Sequence, residues 1–182
     1  AEMDECMPHY YQITEGHGQG AEKIMRAEAD FMQSCFTDAY IGLERAYAQI
    51  EGNGQENMAL CCDFLARRLS LHRDIRRHCT PEERRASLLR HHNAAWLNIW
   101  NAADAYVHAL LGETDRIPPI FADHQLSAIH FLAPGKPMMD LIENQVYLAQ
   151  GAYATVIGRS EGQLAVYGAM HYALVALHIR IQ

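Results

Sequence analysis

Apolar positions recur every three or four residues along most of the chain, which predicts amphipathic helices. In GAEKIMRAEADFM, residues Ile24, Ala27, Glu28 and Phe31 share one helical face. The same spacing recurs in the next two segments, at Ala39, Leu43, Ala46 and Ile50 and then at Met58, Cys62, Leu65 and Leu69. Because good helix formers dominate and strand signals are weak, the pattern predicts an all-α fold.

Start and stop signals divide the pattern into helices. In TPEERRASLLRHH, Thr80 is suited to cap a helix and Pro81 to occupy its first position, while Glu82 and Glu83 favour the positive end of the helix dipole. Gly112 ends a long helix, and the segments IPPIF and APGKP punctuate a loop-rich stretch over 117–137. The chain therefore reads as helix, tight turn and helix, repeated.

Two similar helix ends indicate an internal repeat. The small residue is Ser34 in FMQSCFT and Gly151 in YLAQGAY, and the two lie 117 positions apart, or three steps of 39. The intermediate steps fall on Arg73 and Gly112, and each also follows an apolar helix end. A two-helix period near 40 residues is typical of an α solenoid, so we expect equivalent bends at all four positions.

The first helix pair resembles the tetratricopeptide repeat. Small residues at Ala27, Ala39 and Ala46 would let two helices approach, and Phe36 would provide the aromatic at the turn. In the last full unit Tyr147, Gly151 and Tyr153 match, but Val156 replaces a small residue. The resemblance implies antiparallel helix pairs in a right-handed solenoid. The predicted domains are a leader over 1–19 and a repeat domain over 20–182, with units 20–53, 54–92, 93–134, 135–165 and 166–182.

The composition narrows the class of protein. The chain has 182 residues, 49% hydrophobic and 20% charged, which is enough apolar content for a folded core. Its net charge of -7 argues against nucleic-acid binding by the chain as a whole. No apolar run approaches the ~20 residues of a membrane span. Five cysteines without paired spacing suggest free thiols in a reducing cytoplasm.

Two runs carry a wider resemblance: AEADFMQSCFTDAYIGLERAYAQIEGNGQENMALCCDFLARRLSL and ALLGETDRIPPIFADHQLSAIHFLAPGKPMMDLIENQVYLAQGAYATVIG. From about Gly20 to Gln182 the chain resembles the central helical-repeat region of large bacterial LuxR-type transcriptional regulators related to the maltose activator. The resemblance implies a preceding ATPase domain, a following helix-turn-helix domain, and repeats that receive a signal or contact a partner. The chain carries no GxxxxGK[ST] loop and no evident terminal helix-turn-helix, and it stops inside the apolar run ALVALHIRIQ. We therefore expect an excised fragment whose ATP and DNA sites belong to its parent.

Arginine is concentrated in one segment. Residues 67–92 contain eight arginines and three acids, a local charge of +5 against -12 for the rest. Such a run is consistent with a solvated helix face, with direct phosphate contact, or with a docking surface for an acidic partner or a neighbouring domain. The candidate docking residues are Arg73, Arg76, Arg77, Arg84 and Arg85.

Aromatic residues suggest a second candidate surface. Trp96 and Trp100 are four positions apart and share a helical face, and Tyr147 lies in the last repeat. They are candidates either for core packing or for lining the concave groove of a solenoid, where a ligand or peptide would bind.

Residues for catalysis or metal binding are poorly grouped. Histidine occurs eleven times, and His91, Asp104 and His108 form the best metal candidate, but no HExxH or CxxC motif occurs. We therefore expect no catalytic, cofactor or metal residues. Three hypotheses remain: a non-enzymatic sensing segment of a LuxR-type regulator, a free-standing repeat adaptor, and a metal-dependent helical hydrolase. The first implies an inducer or protein partner, contacts with the parent's other domains, and pairing of two copies through the terminal helix, without nucleic-acid or membrane binding.

Overall fold

The computed structural model describes residues 2–13, 18–51, 55–76, 78–90, 96–125, 136–170 and 173–182. Every regular element in these ranges is helical, which confirms the predicted all-α class. The α-helices are α1 Glu2–Ile13, α2 Ala21–Met32, α3 Phe36–Ile50, α4 Glu56–Leu69, α5 Pro81–Arg90, α6 Leu97–Leu110, α7 Pro119–Ala122, α8 Lys136–Ala149, α9 Tyr153–Ala169 and α10 Ala173–Ile181. A short 3₁₀ turn spans Thr114–Arg116.

The chain divides into two compact units, Ala1–Trp100 and Asn101–Gln182. This division falls inside α6, within the single repeat predicted over 93–134. The predicted leader contains α1, and the boundary predicted at residue 165 falls inside α9.

The core of the first unit lies between α2, α3 and α4. The alanines expected at the helix crossing, Ala27, Ala39 and Ala46, are fully buried. A Cβ placed on Gly42 of α3 would lie 3.1 Å from the Cβ of Ala27 in α2, so the two backbones approach closely there. Large apolar side chains surround this crossing, including Ile24, Leu43, Ile50, Leu65 and Leu69.

The second unit is built around α8, α9 and α10. Leu141, Tyr167 and Ile179, one from each helix, form a buried cluster. Gln182 ties the end of α10 to α8, because its side-chain amide donates to the carbonyl of Leu141 at 2.9 Å. The short helix α7 also packs against α8.

Three helices of the first unit recur in the second at one fixed offset. Helices α3 and α4 begin at residues 36 and 56, and α9 and α10 begin at 153 and 173, an offset of 117 positions in both cases. Helices α2 and α8 end at residues 32 and 149, again 117 apart, although their first residues are 115 apart. The third helix packs against the first in both triplets, α4 against α2 and α10 against α8. The sequence spacing of Ser34 and Gly151 therefore corresponds to a real structural recurrence.

Equivalent turns occupy three of the four positions predicted at steps of 39. Ser34, Gly112 and Gly151 all adopt the left-handed conformation, with φ of 63°, 72° and 76°. At each one the next residue donates its N–H to a carbonyl five positions back, which is the Schellman ending of a helix. Arg73 does not fit: α4 ends at Leu69, and the Arg73 N–H reaches back only to the carbonyl of Leu69. Arg73 does lie in a bend, but the prediction that this bend is equivalent to the other three was wrong, because α4 ends four residues earlier.

Candidate functional site

A charged network is buried where three helices of the first unit meet. Asp63 of α4 is 6% exposed and Arg84 of α5 is 8% exposed. Asp63 accepts a hydrogen bond from the hydroxyl of Tyr47 in α3 at 2.6 Å and another from Nε of Arg84. Burial, together with the charge of Asp63 and its hydrogen bond, raises the pKa of Tyr47 far above its usual range. Tyr47 therefore stays a neutral donor that holds the carboxylate in place.

A capping box positions the helix that supplies Arg84. The Thr80 N–H donates to Oε2 of Glu83 at 2.8 Å, and the Glu83 N–H donates to the Thr80 hydroxyl at 3.2 Å. The hydrogen bonds from Thr80, the backbone one first, lower the pKa of Glu83. The predicted start of this helix at Thr80 and Pro81 is confirmed. Arg84 then lies one turn inside the helix and points at Asp63.

His78 is clamped beside this network. Its Nδ1 lies 3.0 Å from a carboxylate oxygen of Glu51, and its Nε2 lies 2.8 Å from one of Glu44. The imidazole also stacks on the ring of Tyr47, with centroids 4.0 Å apart. Since the two glutamates belong to the region of α3, His78 pins the connection between α4 and α5 against that helix.

This connection forms one wall of a small cleft. The cavity measures about 70 Å³, and its less polar lining comes from Ala66, Ile75, Cys79, Pro81 and Trp100. Polar lining residues are Tyr47, Asp63, Arg67, Ser70, Arg76 and His78. The cleft thus combines an apolar wall with side chains of both charges inside one structural unit, which is the composition of a small ligand site.

The candidate docking arginines occupy different environments. Arg76 and Arg85 are exposed, and Arg76 makes no hydrogen bond or ion pair with any described residue. Arg73 is half-buried, with its guanidinium 4.3 Å above the ring of Tyr40. Arg84 faces the interior and pairs with Asp63, so it presents no guanidinium to a partner. Arg77 lies outside the described residues.

Arg68 has a structural role that the sequence reading missed. It is 3% exposed, forms an ion pair with Glu28, and lies 5.0 Å and 4.5 Å from the ring centroids of Phe31 and Phe64. The available signal was Glu28 itself, an acid on the apolar face of a predicted helix. A charge on such a face implies a buried partner, but which arginine supplies it depends on how α4 packs against α2.

The candidate groove residues belong to two units. Trp100 lines the cleft of the first unit, and Trp96 in the same unit is half-buried. Tyr147 belongs to the second unit, where it stacks on His124 with centroids 3.7 Å apart. Each unit therefore has to be considered separately as a site.

No metal centre emerges among the described residues: none of the groupings of His, Cys, Asp and Glu there is suited to hold an ion. Of the candidate ligands, His91 lies outside the described ranges. His108 is buried, and its Nδ1 lies 2.8 Å from Oε2 of Glu113. Hydrogen bonding from His108 lowers the pKa of Glu113. Within the same ranges no helix combines the length and apolarity needed to cross a membrane.

Comparison with known proteins identifies no relative. No protein-family model matches the chain, and neither a curated protein nor a solved structure matches it.

Proposed function

We propose that this chain is a non-enzymatic helical-repeat domain of a LuxR-type transcriptional regulator. In this proposal its helix pairs form a right-handed, tetratricopeptide-like solenoid in the cytoplasm. The domain binds an effector or a protein partner and couples that event to DNA binding carried out elsewhere in the parent. The observation that supports it best is the helix triplet α2–α4, which recurs as α8–α10 after 117 positions with the same Schellman turn. Repeated units of this kind typically present binding surfaces.

The basic segment of the first unit is the proposed contact surface. Arg76 and Arg85 are exposed and supply the positive charge that an acidic partner or a neighbouring domain would meet. Arg84 is excluded from this surface because it is committed to Asp63. A partner bound here would touch the connection between α4 and α5, which His78 fixes to α3. Binding would therefore act on the packing of three helices rather than on a loose loop.

Reversing the exposed charges tests the contact surface. In the intact regulator we expect Arg76→Glu combined with Arg85→Glu to reduce effector-dependent transcription while leaving protein abundance unchanged. The matched control is Arg45→Glu with Arg180→Glu, two exposed arginines outside the segment that produce the same change of charge. Equal transcription from both double variants would contradict the proposed surface.

The encoding gene tests the proposed context. A phosphate-loop ATPase segment upstream and a helix-turn-helix segment downstream would support the regulator. A gene that encodes neither would favour a free-standing repeat adaptor, with the same helical units used for protein binding.

A further inference from the structure

We infer that the cleft of the first unit binds a carboxylate carried on a short apolar chain. The lining residues contain two arginines, Arg67 and Arg76, and one acid, Asp63. Since Asp63 is already paired with Arg84, Arg76 is a lining cation whose charge a single negative charge on a ligand would balance. Ile75, Pro81 and Trp100 provide the surface that an apolar chain would cover.

The acid in the cleft does not repel such a ligand, because its charge is already neutralised. Asp63 accepts hydrogen bonds from both Tyr47 and Arg84, so the ion pair with Arg84 cancels its charge within the protein. Both ring nitrogens of His78 lie against Glu44 and Glu51. These contacts engage Tyr47, Asp63 and His78 among the lining residues, and none of them involves Arg76.

Arg76 is well suited to hold the ligand's carboxylate. Its guanidinium is exposed at the cleft and has no hydrogen-bond or ion-pair partner among the described residues. The planar fork of a guanidinium matches the two oxygens of a carboxylate and can donate to both at once. A dianion such as phosphate fits less well, since the carboxylates of Glu44 and Glu51 lie beside His78 at the same cleft.

The size of the cleft favours an end group over a whole large ligand. Its volume of about 70 Å³ is well below that of pockets which enclose a drug-sized molecule, ~300 Å³ and above. A carboxylate with a few methylene groups is of a suitable size. Two sources share this chemistry: a small organic acid, and an acidic side chain of a bound polypeptide. As a site for an inducer or partner this inference rests on the proposed function, but binding itself is measurable on the chain alone.

Tryptophan fluorescence provides a direct assay. The chain contains two tryptophans, so Trp96→Phe leaves Trp100, at the cleft, as the sole reporter. The probes are sodium hexanoate, with hexanol as its uncharged match, and a capped leucine–glutamate dipeptide, with leucine–glutamine as its match. We expect a saturable change of Trp100 emission with at least one charged probe and none with the uncharged ones. Arg76→Gln should weaken that binding about tenfold, the loss expected for a charge-assisted hydrogen bond, and Arg45→Gln should leave it unchanged.

The outcomes separate the two sources of carboxylate. Saturation by hexanoate supports a small organic acid, and saturation by the dipeptide alone supports an acidic side chain. Equal responses to charged and uncharged probes, no response to either charged probe, or full binding by Arg76→Gln would each overturn the inference. Circular dichroism of every variant confirms that it is folded. Absence of binding alongside a regulator that responds normally to its effector would overturn this inference alone and leave the proposed function standing.

Discussion

The buried carboxylate of Asp63 lies inside the first unit, where two neighbouring side chains stabilise its charge. Burying an ionised carboxylate without partners costs several kcal/mol, whereas a hydrogen-bonded ion pair repays most of that cost. Arg84 supplies the opposite charge and Tyr47 a second hydrogen bond, at 2.6 Å. The three residues come from three different helices, so the network also fixes how α5 packs against α3 and α4.

Removing Arg84 should therefore destabilise the protein much more than removing its neighbour Arg85. Arg84→Met leaves Asp63 buried without its counter-charge, and we expect the free energy of unfolding to fall by about 3 kcal/mol. Arg85 is exposed, and Arg85→Met should change this free energy by less than about 0.5 kcal/mol. Urea unfolding followed by circular dichroism measures both. Equal effects of the two substitutions would mean that the ion pair with Asp63 contributes little.

The cysteines should differ sharply in reactivity. Burial, followed by the charges of Glu28 and Asp63, raises the pKa of Cys61 from 9.0 to about 11. Below that value the folded thiol is mostly protonated, and only the thiolate reacts with alkylating reagents. At pH 8 we expect iodoacetamide to modify the exposed Cys35 well before Cys61, which should become reactive as the pH approaches 11 or on unfolding. Mass spectrometry of timed samples gives the order, and early modification of Cys61 in the folded protein would contradict the assignment.

At the scale of elements, the helix pairs α2–α3 and α8–α9 are held together by different kinds of contact where the two helices cross. In the first hairpin, Ala27 meets Gly42 and the backbones approach closely. The positions 117 residues later are Asn144 and Arg159, and there Arg159 Nε donates to the Asn144 side chain at 3.1 Å. Gln163, which corresponds to Ala46, accepts a hydrogen bond from the amide of Asn144 at 2.7 Å. Hydrogen bonds between polar side chains in α8–α9 thus replace the close apolar contact of α2–α3. Because the residue types differ at these positions, the two helix pairs show little sequence similarity there.

The turns that follow Ser34, Gly112 and Gly151 resemble one another more closely than the helix crossings do. The residues that follow Ser34, Gly112 and Gly151 have nearly the same backbone angles, with φ of -82°, -83° and -82°. Glycine adopts the preceding left-handed conformation without strain, whereas a side chain there costs about 1–2 kcal/mol. The backbone at Ser34 is therefore strained, whereas the two equivalent turns have glycine at this position.

Exchanging residues at these turns should alter stability in opposite directions. Ser34→Gly relieves the strain and should raise the free energy of unfolding by about 0.5–1 kcal/mol, after the greater chain entropy of glycine is deducted. Gly151→Ala should lower it by about 1 kcal/mol. A Cβ at Gly151 would meet nothing within 4 Å, so its effect reports the backbone alone. Thermal and urea unfolding of both variants provide the measurement, and changes of the same sign would refute the shared turn geometry.

At the scale of the whole molecule, fewer basic charges face solvent than the sequence count suggests. The segment over 67–92 carries +5, but Arg68 is paired with Glu28 and Arg84 with Asp63 inside the first unit. Arg73 lies over the ring of Tyr40. The exposed positive charge is therefore local and modest, while the chain as a whole carries -7.

This charge distribution predicts that the chain alone does not bind duplex DNA. Phosphate binding needs several exposed cations acting together, since affinity scales with the number of phosphates that are neutralised. We expect no change in the anisotropy of a labelled duplex at physiological salt. Salt-sensitive binding that disappears in the Arg76→Glu, Arg85→Glu variant, but persists in Arg45→Glu, Arg180→Glu, would instead assign phosphate recognition to the basic segment.

Local signals in the sequence were sufficient for the helical class, the start of α5 at Thr80, and the turns at Ser34, Gly112 and Gly151. Periodicity, caps and left-handed turns involve residues within a few positions of one another, so a linear reading contains the interactions that produce them. The same reading described no helix in the predicted leader, where α1 lies. It also expected Arg73 to lie in a turn equivalent to the other three, although α4 ends at Leu69.

Only the tertiary structure decided which arginines are buried and which are free to meet a partner. Glu28 and Arg68 are 40 positions apart, and Asp63 and Arg84 are 21 apart. Both pairs form because α2, α4 and α5 pack in one particular arrangement. The cleft beside Trp100 likewise brings together residues of α3, α4, α5 and the connection between α4 and α5. A linear pattern specifies which face of a helix is apolar, but the partner that each buried charge finds depends on the packing of all the helices together.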